Sequence, residues 1–320
     1  MRKRFLCSSL YQAVLPYTEL EDVLFLPDDA LSKGAPGIDL AGIEGAILQP
    51  RFIQKGLLDN LPDLRFVQAT GAGVDAADLQ EVKKRELVLC NSRGVMSSSI
   101  AEDVFAKILF FSRKIRHVEF MRNKHAWDTF GQDQWMCTCY DDLEGRTLGI
   151  MGFGSIGTEI AKRAAAFSMK IIILSAHEHK DQRISGCYLP EEKEAFLSQC
   201  DYAVICLPLT KSTWHFVDSA AFSAMKKSAV LVNVARGAIV DTDALIFALQ
   251  EREISGAALD VFEEEPLPEM SPLWECPNLF LTSHKAGMGD TWKKKIGNLF
   301  LRNMDHYRNG DPLENVISLS

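Results

Sequence analysis

The segment Thr147-Leu-Gly-Ile-Met-Gly-Phe-Gly-Ser-Ile-Gly157 constrains this chain more than any other. Residues 148–151 read as a short apolar strand, glycines follow at Gly152, Gly154 and Gly157, and residues 158–167 carry a helical pattern. A strand, a G-x-G-x-x-G turn and a helix in that order make a cradle for phosphate. The first glycine permits a tight turn, and the second lets backbone N–H groups approach a pyrophosphate. The third lets the helix sit close to the strand. Together with Ser155 and Ile156, these glycines are the expected dinucleotide-binding loop.

The rest of the chain repeats the same rhythm. Short apolar runs at 5–7, 23–26, 45–48, 65–69 and 88–90, then at 171–174, 202–206, 229–233, 257–259 and 279–282, read as strands. Helical patterns at 53–60, 77–85, 99–117 and 290–308 lie between or after them, with Ser99 as the predicted cap of the third. Such alternation predicts an α/β chain with parallel sheets covered by helices. Residues 125–142 break the rhythm and are rich in aromatics, among them Trp127, Phe130, Trp135 and Tyr140. A length of 320 residues exceeds one ordinary core. The last helix has no strands of its own and is expected to return to the first domain.

Composition narrows the function classes. With 47% hydrophobic and 24% charged residues the chain reads as globular. A net charge of −8 argues against nucleic-acid or anionic-lipid partners. No apolar run reaches the roughly 18 residues of a membrane span, and the first ten residues lack the apolar stretch of an export signal. A cytoplasmic location is therefore expected. Eight cysteines occur without a C-x-x-C pair or zinc spacing, so reduced thiols and no metal are expected.

An acidic residue commonly lies about 20 positions beyond the glycine loop, where it binds the adenosine ribose hydroxyls. Here the strand at 171–174 ends in Ser175-Ala-His-Glu-His-Lys180. An Asp would repel a 2′-phosphate, whereas Ser175 beside His177, His179 and Lys180 can receive one, so NADP is expected ahead of NAD. Glu178 opposes that preference.

Three later segments carry groups suited to carbonyl reduction. Arg236 follows one strand, the acidic run Glu263-Glu264-Glu265 follows the next, and His284 follows a third. Carboxyl ends of parallel strands form the ligand crevice of an open sheet. Hydride addition to a ketone leaves negative charge on oxygen. A histidine donates a proton near neutral pH, and a neighbouring carboxylate favours its charged form. An arginine binds a substrate carboxylate bidentately and polarises the carbonyl.

At these residues the sequence resembles the D-isomer-specific 2-hydroxyacid dehydrogenases. The resemblance is carried by Thr70-Gly-Ala-Gly-Val-Asp75, the Gly152 loop, Leu207-Pro-Leu-Thr210, Asn233-Val-Ala-Arg-Gly237, the stretch from Asp260 to Pro268, and His284-Lys-Ala-Gly287. It implies two doubly wound parallel-sheet domains. A Rossmann coenzyme domain, 101–289, would be inserted into a smaller flavodoxin-like substrate domain, 1–100 with 290–320. It implies catalysis by Arg236, Glu265 and His284, with Glu265 preferred over its neighbours because it directly precedes Pro-Leu-Pro. Backbone N–H groups of Ala72 and Gly73 would hold the substrate carboxylate. Asp260 would bond the nicotinamide amide, Leu207, Pro208 and Ala235 would line its pocket, and Thr213 and Gly287 would join the cofactor contacts. The segment 117–145 resembles a dimerisation arm, which implies a homodimer. Lys285 departs from the family, since apolar residues usually follow the catalytic histidine.

The implied activity is interconversion of a small 2-oxo acid, glyoxylate or hydroxypyruvate first, with its D-2-hydroxy acid. D-lactate-type and phosphoglycerate-type dehydrogenases are the related alternatives, and a nucleotide-sensing corepressor of the same fold is the alternative from another class.

Overall fold

The computed structural model describes residues 4–15, 21–127 and 140–318. Contacts divide the chain into two units, Met1–Met96 with Met288–Ser320, and Ser97–Gly287.

In the first unit, strands β1 (Phe5–Ser8), β2 (Val23–Leu26), β3 (Gly45–Leu48), β4 (Phe66–Ala69) and β5 (Val88–Cys90) form a parallel sheet in the order β2-β1-β3-β4-β5. This is the doubly wound flavodoxin-like order. Side chains alternate across a strand, so a sheet covered on both faces needs apolar residues at every position. Accordingly Phe5 and Cys7 enter one core while Leu6 enters the other, and Ile47 opposes Ala46 and Leu48. The helix Trp292–Asn309 closes one of these faces, placing Ile296, Phe300 and Met304 against Phe5, Ile47 and Phe66. A buried bond from Asn303 Nδ2 to Gln68 Oε1, 2.7 Å long, ties this helix to β4. Beyond the helix, Val316 forms an antiparallel bridge with Cys90.

In the second unit, β6 (Thr147–Met151), β7 (Lys170–Leu174), β8 (Ile184–Tyr188), β9 (Tyr202–Ile205), β10 (Val230–Asn233), β11 (Gly256–Leu259) and β12 (Leu279–Leu281) are all parallel. Their order is β12-β11-β10-β9-β6-β7-β8. Ile172 and Leu174 of β7 enter one core and Ile171 and Ile173 the other, again because helices cover both faces. The order reverses between β6 and β9. In open α/β sheets that switch point is where ligands bind, and here it lies at the glycine loop.

Several elements differ from their predicted form. The pattern at 99–117 becomes two helices, Ser97–Ser112 and Ile115–Asn123, because Lys114 adopts a left-handed backbone with φ 50°. Ser99 therefore lies inside the first helix and does not cap it. The helix expected at 158–167 begins earlier, at Ser155, and Gly154 is its N-cap. Strand β8 is not predicted by the pattern. It is an edge strand whose Ser185 and Cys187 face solvent, so its apolar content is too low to register. Phe130 and Trp135 lie outside the described residues.

Candidate active site

Six parallel strands of the second unit, β6, β7, β9, β10, β11 and β12, end at one edge of the sheet, and a loop carrying predicted site residues leaves each of them. Gly152 follows β6 with φ 91°, a conformation that L side chains rarely adopt. A Cβ there would lie 2.9 Å from the Cys206 carbonyl oxygen, so the loops after β6 and β9 touch through backbone. A Cβ on Gly157 would come within 2.6 Å of the Gly152 oxygen, whereas one on Gly154 would meet nothing within 4 Å. The first and third glycines are thus packed and the second faces open space. No side chain caps the 12-residue helix Ser155–Ala166. Its first N–H groups and the positive end of its dipole suit a pyrophosphate. The cradle fits the dinucleotide expected from sequence.

At the end of β7 the Ser175 hydroxyl lies 2.9 Å from Nε2 of His179 and accepts from the His177 N–H at 3.2 Å. The His179 ring packs edge-on against Phe153 of the glycine loop, 5.0 Å between centroids. His177, Glu178 and Lys180 are exposed. Arg183, another cation near this corner, is bonded through Nε and Nη2 to Asp181. These bonds hold the Asp181 carboxyl at a pKa of about 2.

The loop after β9 contains Leu207, Pro208 and Thr213. Thr213 Oγ1 donates to the Pro208 carbonyl at 2.7 Å and accepts from Thr210 N–H at 2.7 Å, so its hydroxyl closes this turn. After β10, buried Asn233 shapes the turn that presents Arg236. Its Nδ2 donates to Arg236 O at 2.9 Å and its Oδ1 accepts from Ala235 N–H at 3.0 Å. Arg236 is half-buried, and its Nη1 donates to Ala235 O at 2.7 Å. A Cβ on the next residue, Gly237, would lie 1.8 Å from the Phe262 carbonyl carbon. The Arg236 turn therefore rests directly on the backbone of the acidic loop.

That loop follows β11 and begins at buried Asp260. The Asp260 carboxylate accepts from Thr282 Oγ1 at 2.5 Å, Lys285 N–H at 2.9 Å and Ala286 N–H at 2.9 Å, and its carbonyl accepts from His284 N–H at 2.7 Å. Asp260 thus fixes the turn from Thr282 to Gly287 in which His284 adopts φ 51°. The side chain of Lys285 is exposed. His284 Nδ1 lies 2.7 Å from Glu265 Oε2, and Glu265 Oε1 accepts from Phe262 N–H at 3.0 Å. With Nδ1 engaged by a carboxylate, Nε2 is the ring nitrogen that remains available.

The three adjacent glutamates have separate fates. Glu263 accepts from Thr242 N–H at 3.0 Å and Thr242 Oγ1 at 2.5 Å, and lies 3.1 Å from His215 Nε2. Burial opposes its ionisation, but the bonds from Thr242 and His215 outweigh burial and lower its pKa. A cavity of about 480 Å³ beside it is lined by His215, Thr242, Phe262, Leu267 and further acidic residues. Its lining includes none of Arg236, Glu265 and His284, and its acidic walls suit a 2-oxo acid poorly. Residue patterning alone did not single out Asn233, Gly237 or His215 as parts of the site's frame, and it placed Glu263 only within the acidic run. The one available signal was their position in strand-end loops.

In the first unit, Ala72 and Gly73 follow β4 in a turn held by Asn91 Nδ2, which donates to Ala72 O at 2.8 Å, and by Ser92 N–H, which donates to Gly71 O at 3.0 Å. Among the described residues, no group of three or more His, Cys, Asp or Glu could hold a metal. No described helix is long and apolar enough to cross a membrane.

A dinucleotide cradle beside a paired histidine and an arginine defines a dehydrogenase-type site, and comparisons with known proteins agree. Residues 105–286 match the family described as D-isomer specific 2-hydroxyacid dehydrogenase, NAD binding domain. The chain is 34% identical over 270 residues to a glyoxylate reductase of Thermococcus litoralis, covering 83% of this chain and 80% of that one. A D-isomer specific 2-hydroxyacid dehydrogenase family protein from Aeromonas salmonicida superposes with a TM-score of 0.87 at 30% identity, covering 99% of this chain and all of that one. The NADPH-dependent glyoxylate/hydroxypyruvate reductase of Sinorhizobium meliloti, solved with NADP and sulfate, gives a TM-score of 0.80 at 25% identity over 99% or more of this chain and of that one. The chain belongs to the D-isomer-specific 2-hydroxyacid dehydrogenase family. It is an oxidoreductase that uses a nicotinamide cofactor.

Proposed function

We propose that this enzyme reduces glyoxylate or hydroxypyruvate to the corresponding 2-hydroxy acid, with NADPH preferred over NADH. The observation that carries this reading is the 2.7 Å contact between Glu265 and His284, on the same sheet edge as the glycine cradle. When bound, the reduced nicotinamide supplies the hydride that adds to the carbonyl carbon. His284 donates the proton to the developing alkoxide, and Glu265 orients its ring through Nδ1. Arg236 binds the substrate carboxylate and polarises the carbonyl. From the family resemblance, N–H groups of Ala72 and Gly73 in the first unit are assigned to the substrate carboxylate.

In this reading Ser97–Gly287 is the coenzyme domain and the other unit the substrate domain. Gly152, Gly154, Ser155, Ile156 and Gly157 hold the pyrophosphate. Leu207, Pro208, Ala235, Asp260 and Gly287 surround the nicotinamide. Ser175 and His177, with His179 anchored beside them, receive the 2′-phosphate. The NADP-bound relative from Sinorhizobium meliloti supports this preference. The family resemblance and the apolar surface of Ile115, Val118 and Phe120 on one exposed helix support a homodimer. Sedimentation velocity of the full chain tests that part.

The deciding assay follows reduced-nicotinamide absorbance with NADPH or NADH against glyoxylate, hydroxypyruvate, pyruvate and bulkier 2-oxo acids. Turnover of small 2-oxo acids supports the reading. Cofactor binding without reduction of any 2-oxo acid overturns it.

A further inference from the structure

Three loops that carry proposed site residues meet at one carboxylate outside the Arg236, Glu265 and His284 set. Glu263 belongs to the loop after β11, two residues before Glu265. Through Oε1 it accepts from the N–H and hydroxyl of Thr242, at the start of the nine-residue helix Thr242–Gln250 that follows the Arg236 turn. Through Oε2 it meets Nε2 of His215 at 3.1 Å, in the loop after β9 that also carries Leu207 and Pro208. His215 is itself held. Its N–H donates to Ala238 O at 2.8 Å, its Nδ1 lies 3.7 Å from Asp241 Oδ2, and the Trp214 ring stacks on it at 3.5 Å. Asp241 caps Ala244 of the same helix, and Val217 bridges Val240.

The run Glu263–Pro266 is otherwise exposed. An exposed loop holds a side chain in one place only if something outside it limits its freedom. Asp260 anchors the loop's start and Gly237 packs against Phe262. Glu265 Oε1 takes the Phe262 N–H, and between those two residues the chain's fixed point is Glu263. We propose that Glu263, clamped by His215 and Thr242, is a positioning residue that aims Glu265 at His284 and keeps the three strand-end loops in register. This inference rests on the reading of His284 as proton donor.

The test uses the full-length enzyme and the variants Glu263→Ala, Glu263→Gln, His215→Ala and Glu265→Gln. Circular dichroism first establishes that each is folded. One readout is steady-state reduction of glyoxylate with NADPH. The other is the downfield proton resonance of a histidine ring N–H bonded to a carboxylate, with the His284 signal identified by its loss in Glu265→Gln. In Glu263→Ala, kcat is expected to fall about tenfold while KM for NADPH changes less than about threefold, because a misplaced catalytic group costs rate rather than cofactor binding. The His284 resonance broadens in the same variant. Glu263→Gln keeps an acceptor for Thr242 and recovers most of the rate, and His215→Ala, which cuts one tie, falls between.

A folded Glu263→Ala with unchanged kcat and an unchanged His284 resonance overturns the proposal. So does a Glu263→Gln as impaired as Glu263→Ala. If the wild-type enzyme reduces no 2-oxo acid, the functional reading fails, while the resonance comparison still decides whether Glu263 positions Glu265.

Discussion

Glu265 Oε2 and His284 Nδ1 lie 2.7 Å apart although they are nineteen positions apart in the chain, and both side chains remain partly open to solvent. The carboxylate and the imidazole leave the ends of neighbouring parallel strands, β11 and β12, so the sheet itself fixes their separation.

Removing the proposed proton donor is expected to cost more than removing its partner. His284→Ala should lower kcat for glyoxylate reduction by about a thousandfold, within the usual range for general acid catalysis. Glu265→Gln should cost about tenfold to a hundredfold, since the His284 ring loses the carboxylate that holds it through Nδ1. Fluorescence titration with NADPH should give nearly unchanged Kd in both. Equal rates for His284→Ala and wild type would remove His284 from the mechanism.

Cofactor choice is testable at one position. Ser175→Asp places a carboxylate where the 2′-phosphate is proposed to sit, and like charges at such a distance repel strongly. The ratio of kcat/KM for NADPH over NADH should fall by about a hundredfold, a differential of about 2.7 kcal/mol. An unaltered ratio would move the phosphate site away from Ser175.

The contact between the Arg236 turn and the acidic loop leaves no room for a side chain. Gly237→Ala puts a methyl 1.8 Å from the Phe262 carbonyl carbon, with backbone rather than a flexible side chain as the obstacle. Destabilisation of about 3 kcal/mol is expected from overpacking of this kind, read as a lower urea midpoint. Activity should fall further than stability, because Arg236 and Glu265 both hang on the displaced segments. A variant as stable and active as wild type would contradict the geometry.

The Asp181–Arg183 pair predicts a pH dependence of stability. Bonds from the Arg183 side chain and backbone lower the Asp181 pKa from 3.8 to about 2 in the folded protein. A depressed carboxyl pKa contributes stability above the unfolded value, and that contribution is lost as pH falls through the folded value. Wild type should therefore exceed Asp181→Asn in Tm above pH of about 4, and the gap should close toward pH 2. A gap that is constant across this range would show that the pair's charge is not responsible.

Much of the fold was legible because both sheets are covered on two faces. Runs such as Lys170–Leu174 are apolar at four consecutive positions, a pattern that no surface strand needs. Strand Ile184–Tyr188 escaped for the converse reason, since an edge position lets every second side chain face water. The break at Lys114 had no glycine or proline to announce it.

The glycine spacing, the strand rhythm and the residue types at the strand ends were determined by sequence alone, because periodicity and turn chemistry are local. The partners of those residues were not. Glu263, Glu264 and Glu265 are indistinguishable by composition, and only their resemblance to a family motif favoured the last. In the folded chain Glu263 goes to His215 and Thr242, and Glu265 to His284, across separations of 19 to 48 residues. Similarly, Ser175 stood as a gap where an acid was expected, and folding brought the His179 ring against both its hydroxyl and Phe153. Which carboxylate meets which histidine depends on the register of parallel strands and on where backbones touch without a Cβ between them. Those are properties of the packed sheet that no local stretch of sequence contains.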